Sequence, residues 1–348
     1  MTAALRLGLV GCGAVAEHYH LPAIMATPEV RLVACVDTVA ARAGDLARHA
    51  GALVCSSHRD LPAHVDAALV TVPNADHAAV AIDLLNAGVH VLVEKPMART
   101  SAECEQMISA AARSGAVLAL GHDFRQFPIA RCARELFQDE LLGAVRRVDV
   151  RQSAGSRWPA RTSAALTAAA GGGALLTFGV HLLDLLLWWL GDLRPRAYMD
   201  DASGGVEAEC LCEFELVTTG APVAMAVSRR RSLRDTTIVE CARGTLEIGI
   251  HEPAILRLQP KSGSLVVTGG VDDAAFARAP LRAAFERQLR DFTDAIHHQR
   301  PPLVTGTDGR RVVALIEACY AMRQSLSLPW QCHDALPIGA ARLAGHAC

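Results

Sequence analysis

Lysine, aromatic side chains and net charge are all scarce in this 348-residue sequence. Lysine occurs only at Lys95 and Lys261, so arginine makes up the rest of the 34 basic residues. Against 36 acidic residues they leave a formal net charge of −2, which provides no electrostatic footprint for nucleic acid. Phe, Trp and Tyr reach only 4% of residues, so the core must be aliphatic. The eleven cysteines are odd in number and lack C-x-x-C spacing, which excludes an obvious disulfide framework or zinc site. No metal is expected, and the expected compartment is the reducing cytoplasm. Cys210-x-Cys212 would set two thiols on one face of a strand, where free cysteine packs as a small hydrophobe. A signal peptide is not expected, because strand and glycine-turn patterns begin within the first dozen residues. Residues 162–183 carry no formal charge, but Gly171, Gly172, Gly173 and His181 interrupt them and Asp184 follows. A buried helix, not a membrane span, is expected there. Repeats and low-complexity segments are missing too.

What is present is a chain that is 51% hydrophobic and 20% charged, long enough for two domains. Apolar, β-rich runs recur at residues 5–10, 30–36, 52–55, 67–72, 89–93 and 117–120, spaced for crossover helices. That alternation predicts a doubly wound parallel sheet. His77–Ala87 reads as a helix ending at Gly88, and Thr100 with Glu103 forms a capping-box pair ahead of another. From about Asp123 the pattern changes to longer alternating strands at 145–151, 206–216, 223–227, 237–241, 245–250, 255–258 and 265–268. A helical stretch over about 281–326, broken at Pro301-Pro302, closes the chain. The expected fold is α/β: a Rossmann domain over residues 1–122, then an α+β domain over 123–348 with an open, mostly antiparallel sheet.

Ligands of a doubly wound sheet bind at the carboxyl ends of its strands. Gly11-Cys12-Gly13-Ala14-Val15-Ala16 follows the first strand and opens a helical segment, which fits a dinucleotide fingerprint with Ala16 as the third small residue. The glycines allow a tight turn, backbone amides approach the pyrophosphate, and the helix N-terminus adds partial positive charge. Asp37 follows Gly13 by 24 residues and can accept bonds from both adenosine ribose hydroxyls. Its carboxylate repels a 2′-phosphate, so NAD is favoured over NADP, although Arg42 nearby softens that preference.

The ordered set Gly11-x-Gly13-x-x-Ala16, Val72-Pro73-Asn74-x-x-His77 and Glu94-Lys95-Pro96 resembles the Gfo/Idh/MocA oxidoreductases. The resemblance extends through Gly121-His122, Arg125 and Pro128, Leu142-Gly143, and Gly172-Gly173-Ala174-Leu175 leading into Gly179-Val180-His181-Leu182-Leu183-Asp184. It implies an NAD(P)-dependent enzyme acting on sugars or polyols. It also implies an open sheet that walls the substrate cleft, with an outer face that builds a homodimer or homotetramer. Cofactor contacts are then expected from Gly11, Gly13, Ala14, Val15, Ala16, Asp37, Thr71, Pro73, Asn74, His77, Glu94 and Lys95.

Lys95 stands at the end of the fifth strand, where an ammonium can stabilise charge on the reacting oxygen. The resemblance implies contact with both substrate and cofactor, beside a proline that is often cis. Thr177, His181, Asp184 and Trp188 are spaced by four, three and four residues, so they share one face of a largely apolar helix. Each polar group there needs a partner, ligand or cavity. The resemblance makes His181 a proton acceptor or relay, usually with an aspartate four residues earlier; here Thr177 holds that place. A hydroxyl supplies a bond without charge and can turn back onto the helix backbone. Lys95, His181, Thr177 and Asp184 are the catalytic candidates. Lys95, Arg125, Trp158, Thr177 and His181 are the candidates for substrate, with Arg157 and Arg161 near Trp158 and His20 beneath the cofactor.

Arg229, Arg230, Arg231 and Arg234 would suit a nucleotide-sugar diphosphate or a solvated strand edge. The arginine bias fits a GC-rich genome such as an actinomycete's. The expected reaction is oxidation of a ring hydroxyl of a sugar, cyclitol or aminoglycoside to a ketone, in an antibiotic pathway. The alternatives are a ketosugar or nucleotide-sugar reductase and, from another class, a non-catalytic NAD(H)-binding sensor.

Overall fold

The computed structural model describes residues 4–153, 172–202, 206–250, 255–262, 267–269 and 274–326. Short aliphatic strands form the first sheet: β1 (Leu5–Val10), β2 (Val30–Val36), β3 (Leu53–Val54), β4 (Ala67–Val70), β5 (His90–Val93) and β6 (Leu118–Leu120). They lie in the order β3-β2-β1-β4-β5-β6, and every neighbouring pair is parallel. Alternation along the strands divides their side chains between two cores. Leu7, Leu9, Leu69 and Leu92 are buried on one face, and Val10, Val70, Val91 and Val93 on the other. Helices α1 (Leu21–Met25) and α2 (Ala40–Ala50) cover the first face, and α3 (His77–Asn86) and α4 (Ser101–Ser114) the second. The capping box read from the sequence opens α4: Glu103 N donates to Thr100 Oγ1 at 3.1 Å, and Thr100 N to Glu103 Oε2 at 3.1 Å. Strand order reverses between β1 and β4, which opens a crevice at their carboxyl ends.

After β6 the chain builds α5 (Pro128–Gln138), β7 (Val145–Ser153), α6 (Val180–Leu190), β8 (Leu193–Asp200), β9 (Glu209–Leu216), β10 (Pro222–Ser228), β11 (Thr236–Cys241), β12 (Gly244–Gly249), β13 (Ile255–Pro260) and β14 (Val267–Gly269). Helices α7 (Ala274–Arg278), α8 (Pro280–His297) and α9 (Gly306–Ala321) follow, with β15 (Arg323–Ser325) last. The second sheet runs β14-β13-β12-β11-β7-β10-β9-β8-β15. It is antiparallel except for the pairs β7–β10 and β8–β15. On β7, Val148 and Val150 are buried while Arg147, Asp149 and Arg151 are half-exposed, the alternation of a one-sided sheet.

Four elements differ from the sequence pattern: α5, β8 and α7 are not expected from it, and β15 stands where the closing helical stretch is read to 326. Helix α5 opens on Pro128 at its first turn and buries Ile129, Ala130 and Ala133. Strand β8 carries Pro195, which cannot donate a ladder bond, and its register with β9 shifts between Pro195 and Ala197. Strand β15 is three exposed residues with no pattern of its own.

The last helices return to the first sheet. Leu289 and Phe292 of α8 are buried in the core under β1, while Val304 and Val313 join the core on the opposite face. Leu120 N donates to Val304 O at 3.2 Å, and Thr305 bridges to Ala119 beside β6. Both ends of the chain therefore hold the sheet that positions the site.

Candidate active site

The Gly11–Ala16 turn is shaped by backbone contact. Gly11 has φ +91°, and a Cβ there would meet the Thr71 carbonyl at 2.7 Å, so only glycine fits against the end of β4. Thr71 Oγ1 donates to Gly11 O at 2.5 Å, fastening the two strand ends together. At Gly13 a Cβ would meet nothing within 4 Å, so the turn faces open space where a pyrophosphate can lie. Asp37 accepts from Cys12 N at 2.7 Å through Oδ2 and from Val39 N at 2.7 Å through Oδ1, which holds its carboxylate beside the turn. The turn and the acid at the end of β2 thus fit a dinucleotide, and carboxylate lone pairs remain for ribose hydroxyls.

Other expected cofactor residues are turned inward. His77 is 1% exposed, with Nδ1 2.8 Å from Pro96 O and Nε2 3.0 Å from Val72 O. Burial lowers its pKa, so the neutral ring donates to one of these carbonyls and ties the end of β4 to the Lys95–Pro96 segment. Glu94 is also buried: Oε1 lies 2.7 Å from His20 Nε2, and Oε2 accepts from Lys95 N at 3.1 Å. Burial raises the Glu94 pKa, but the His20 bond and charge, with Lys95, outweigh it and leave it lowered. Phe285 of α8 meets the His20 ring edge-on at 4.6 Å and stacks on Tyr19 at 5.3 Å. Each of these side chains has protein partners that brace this wall. Pro73 is exposed and Asn74 half-buried just beyond β4, beside the crevice.

Lys95 leaves the end of β5 before a cis bond to Pro96. Its Nζ donates to Thr177 O at 2.9 Å, one turn ahead of His181, so it reaches across from the first sheet to the helix of the second half. Burial lowers its pKa; Glu94 and Asp123 oppose that, and Arg229 adds to it.

The helix bearing the polar stripe begins with a π turn over Leu175–Gly179 and continues as α6. Glu207 caps its start, accepting from Leu175 N at 2.9 Å and from Tyr320 Oη at 2.9 Å. Gly173 has φ +121°, and a Cβ there would lie 2.6 Å from the Glu207 carboxylate, so this entry requires glycine. Every member of the stripe meets protein. Thr177 Oγ1 donates to Gly173 O at 2.5 Å and accepts from Arg229 Nη2 at 2.6 Å. His181 Nδ1 lies 3.5 Å from Asp123 Oδ1. Asp184 accepts two bonds from Arg125, Nε to Oδ2 at 2.8 Å and Nη2 to Oδ1 at 2.7 Å. The guanidinium groups of Arg125 and Arg134 lie over the Trp188 ring.

Two expectations change as a result. Asp184, a catalytic candidate, and Arg125, a substrate candidate, are engaged with each other, at 0% and 2% exposure. Arg125 also donates to Leu303 O at 3.2 Å and meets Asp308 at 3.3 Å, so its fork ties α6 to the entry of α9. The arginine run is mostly neutralised within its own sheet. Arg230 pairs with Asp201, Arg231 with Glu209 and Arg234 with Glu247, while Arg229 faces Thr177 and the Phe178 ring. Trp158, Arg157 and Arg161 lie outside the described residues. Cys210 and Cys212 are both buried in the core. Among the described residues no group of three or more His, Cys, Asp or Glu can hold a metal, and no helix is long and apolar enough to cross a membrane.

Asp123 is the site residue that the sequence patterns did not single out. It sits in the turn after β6, 4% exposed. Its one legible signal is position, an acid just past the carboxyl end of a parallel strand.

Comparisons with known proteins agree with the fold. Residues 5–122 match a model described as an oxidoreductase family with an NAD-binding Rossmann fold, and residues 130–247 match the GFO/IDH/MocA C-terminal domain. The rhizopine catabolism protein MocA of Rhizobium meliloti is 30% identical over 323 residues, covering 90% of this chain and 93% of that protein. The dTDP-3,4-didehydro-2,6-dideoxy-alpha-D-glucose 3-reductase of Streptomyces violaceoruber is 34% identical over 202 residues. That match spans 56% of this chain and only 57% of the reductase. The crystal structure of a 3-ketoreductase from Actinomadura kijaniata, with NADP and TDP-benzene, superposes with a TM-score of 0.81 at 20% identity, covering 94% of this chain and all of that one. At that identity the likeness speaks for the fold alone. With both characteristic domains matched in order, and a relative aligned almost end to end, the chain belongs to the Gfo/Idh/MocA oxidoreductase family.

Proposed function

We propose that this chain is an NAD-dependent dehydrogenase that oxidises a ring hydroxyl of a sugar, cyclitol or aminoglycoside to a ketone. The observation that carries the reading is the reach of Lys95 from β5 to the carbonyl of Thr177, one turn before His181. It brings the amine to the carbonyl of a residue one turn before the imidazole, although the two groups are far apart in sequence. A bound nicotinamide would supply the acceptor for the carbinol hydride. The turn at Gly11–Gly13 would hold the pyrophosphate and Asp37 the adenosine ribose. Lys95 would donate to the reacting oxygen, and His181 or Lys95 would take the hydroxyl proton as the C–H bond breaks.

Ketone reduction would use the same residues in reverse. The reductase name of the Streptomyces relative favours that as the second reading. Cytoplasmic location, a place in antibiotic biosynthesis and self-association through the second sheet complete the proposal. Light scattering measures the association.

The test follows the absorbance of reduced nicotinamide while sugars, nucleotide sugars, cyclitols and aminoglycosides are offered with NAD and NADP separately. Turnover of at least one ring alcohol, faster with NAD, is expected; silence across the panel in both directions would sink the reading. In the same assay Asp37→Asn keeps an acceptor for the turn but removes the charge facing a 2′-phosphate. Its NAD-over-NADP ratio of kcat/KM should fall about 10- to 100-fold, equivalent to about 1.4–2.8 kcal/mol. An unchanged ratio would remove Asp37 from cofactor choice.

A further inference from the structure

Thr177 leaves the His181 helix without a carboxylate one turn earlier, and its hydroxyl is occupied by Gly173 and Arg229. We propose that Asp123, from the turn after β6, is the positioning residue that supplies this charge: it holds Nδ1 of His181 and leaves Nε2 to exchange the hydroxyl proton. The proton's role rests on the dehydrogenase reading, whereas the pairing rests on geometry.

Three consecutive residues enclose the imidazole. Asp123 Oδ1 lies 3.5 Å from Nδ1. The Phe124 ring stacks on the imidazole at 4.2 Å with an interplanar angle of 14°, and the His122 ring meets it edge-on at 6.1 Å. Stacking fixes the plane of the ring, and the carboxylate, at ion-pair distance from Nδ1, favours charge on that side of the imidazole. A carboxylate at this distance also favours imidazolium, the state His181 enters when it accepts a proton.

The surrounding charges suit such a pair. Burial and the charge of Glu94 push the Asp123 carboxyl up to about 7, with Lys95 drawing it down. Glu94 and Lys95 approach from β5, Tyr19 from the turn before α1, and His122, itself kept neutral by burial, from the adjoining residue. Asp123 therefore titrates near neutrality beside the His181 ring. With a nicotinamide bound as the hydride acceptor, the hydroxyl proton would go to His181 as the carbinol C–H bond breaks, and Asp123 would compensate the imidazolium until that proton reached solvent.

The experiment compares the full-length protein with D123N, which keeps the side-chain shape without the charge; Asp123→Ser replaces it if D123N does not fold. With isotope-labelled histidine, the His181 resonance is assigned by its loss in His181→Gln, and its titration midpoint is followed by NMR. The midpoint is expected to move down in D123N, kcat to fall about 100-fold, the neutral limb of the pH–rate profile to flatten, and NADH affinity to stay unchanged. An unmoved midpoint overturns the pairing, even if the dehydrogenase reading survives through turnover of the wild type. A moved midpoint in a protein that turns over nothing retains the pairing and removes the dehydrogenase reading.

Discussion

Lys95→Met is expected to lower kcat about 10³-fold, the loss that follows removal of a preorganised donor from developing oxyanion charge. Methionine keeps much of the stem that crosses toward Thr177 but cannot donate to its carbonyl or to a reacting oxygen. Affinity for NADH should persist, because the turn at Gly11–Gly13 and the Asp37 carboxylate are built from other elements. Stability should not fall at neutral pH. The Lys95 pKa is lowered in the folded protein, so the unfolded chain binds the extra proton between the folded and unfolded values, and stability rises with pH across that window. Below it the buried ammonium is a net cost that methionine removes. Steady-state kinetics, coenzyme titration and thermal unfolding at two pH values separate these effects. Retention of more than a tenth of the turnover, or of an intact binding function with no turnover in either protein, would move the chain toward the NAD(H)-sensor reading.

Arg125→Ala should produce the largest loss of stability, about 3–5 kcal/mol, because it strands the Asp184 carboxylate at 0% exposure. Arg125 also touches Asp308 and Leu303 O, so its removal loosens α9 from α6 together with the charge imbalance. Chemical denaturation should show an earlier midpoint for Arg125→Ala, and much of the loss should return in the double variant Arg125→Met/Asp184→Leu, where no buried charge remains unpaired. Acid should act on the same knot. Burial raises the Asp308 pKa, but Arg125 and the Thr305 bonds outweigh it and leave it lowered. The stability that Asp308 contributes is therefore present above the ordinary carboxylate range and is lost as pH falls through its lowered value. If Arg125→Ala unfolds at the wild-type midpoint, the pair does not hold the helices together.

The first sheet was legible in the sequence because its signals are local: aliphatic runs, glycine turns and a capping box each lie within a dozen residues. The polar stripe on α6 was legible in the same way, as helical spacing that demanded partners. The identity of those partners was not. Asp123 meets His181 and Arg125 meets Asp184 only after the two halves of the chain have been brought together, Arg229 meets Thr177 only after β10 packs on the turn that opens α6, and no spacing rule encodes such meetings. For Arg125 the family resemblance implied a substrate contact, and the fold gives its guanidinium an internal acid. Pro195 hid β8 for a different reason, since a strand containing proline reads as a break until a bulge accommodates it.

The packing of α8 and α9 against the first sheet has a bearing on how the chain is made. Phe292 seals one side of that sheet and Val313 the other, yet both are synthesised long after β6 has left the ribosome. During translation the nascent first half must wait with part of its oily interior uncovered. It reaches its final solidity only when the last helices emerge and close it.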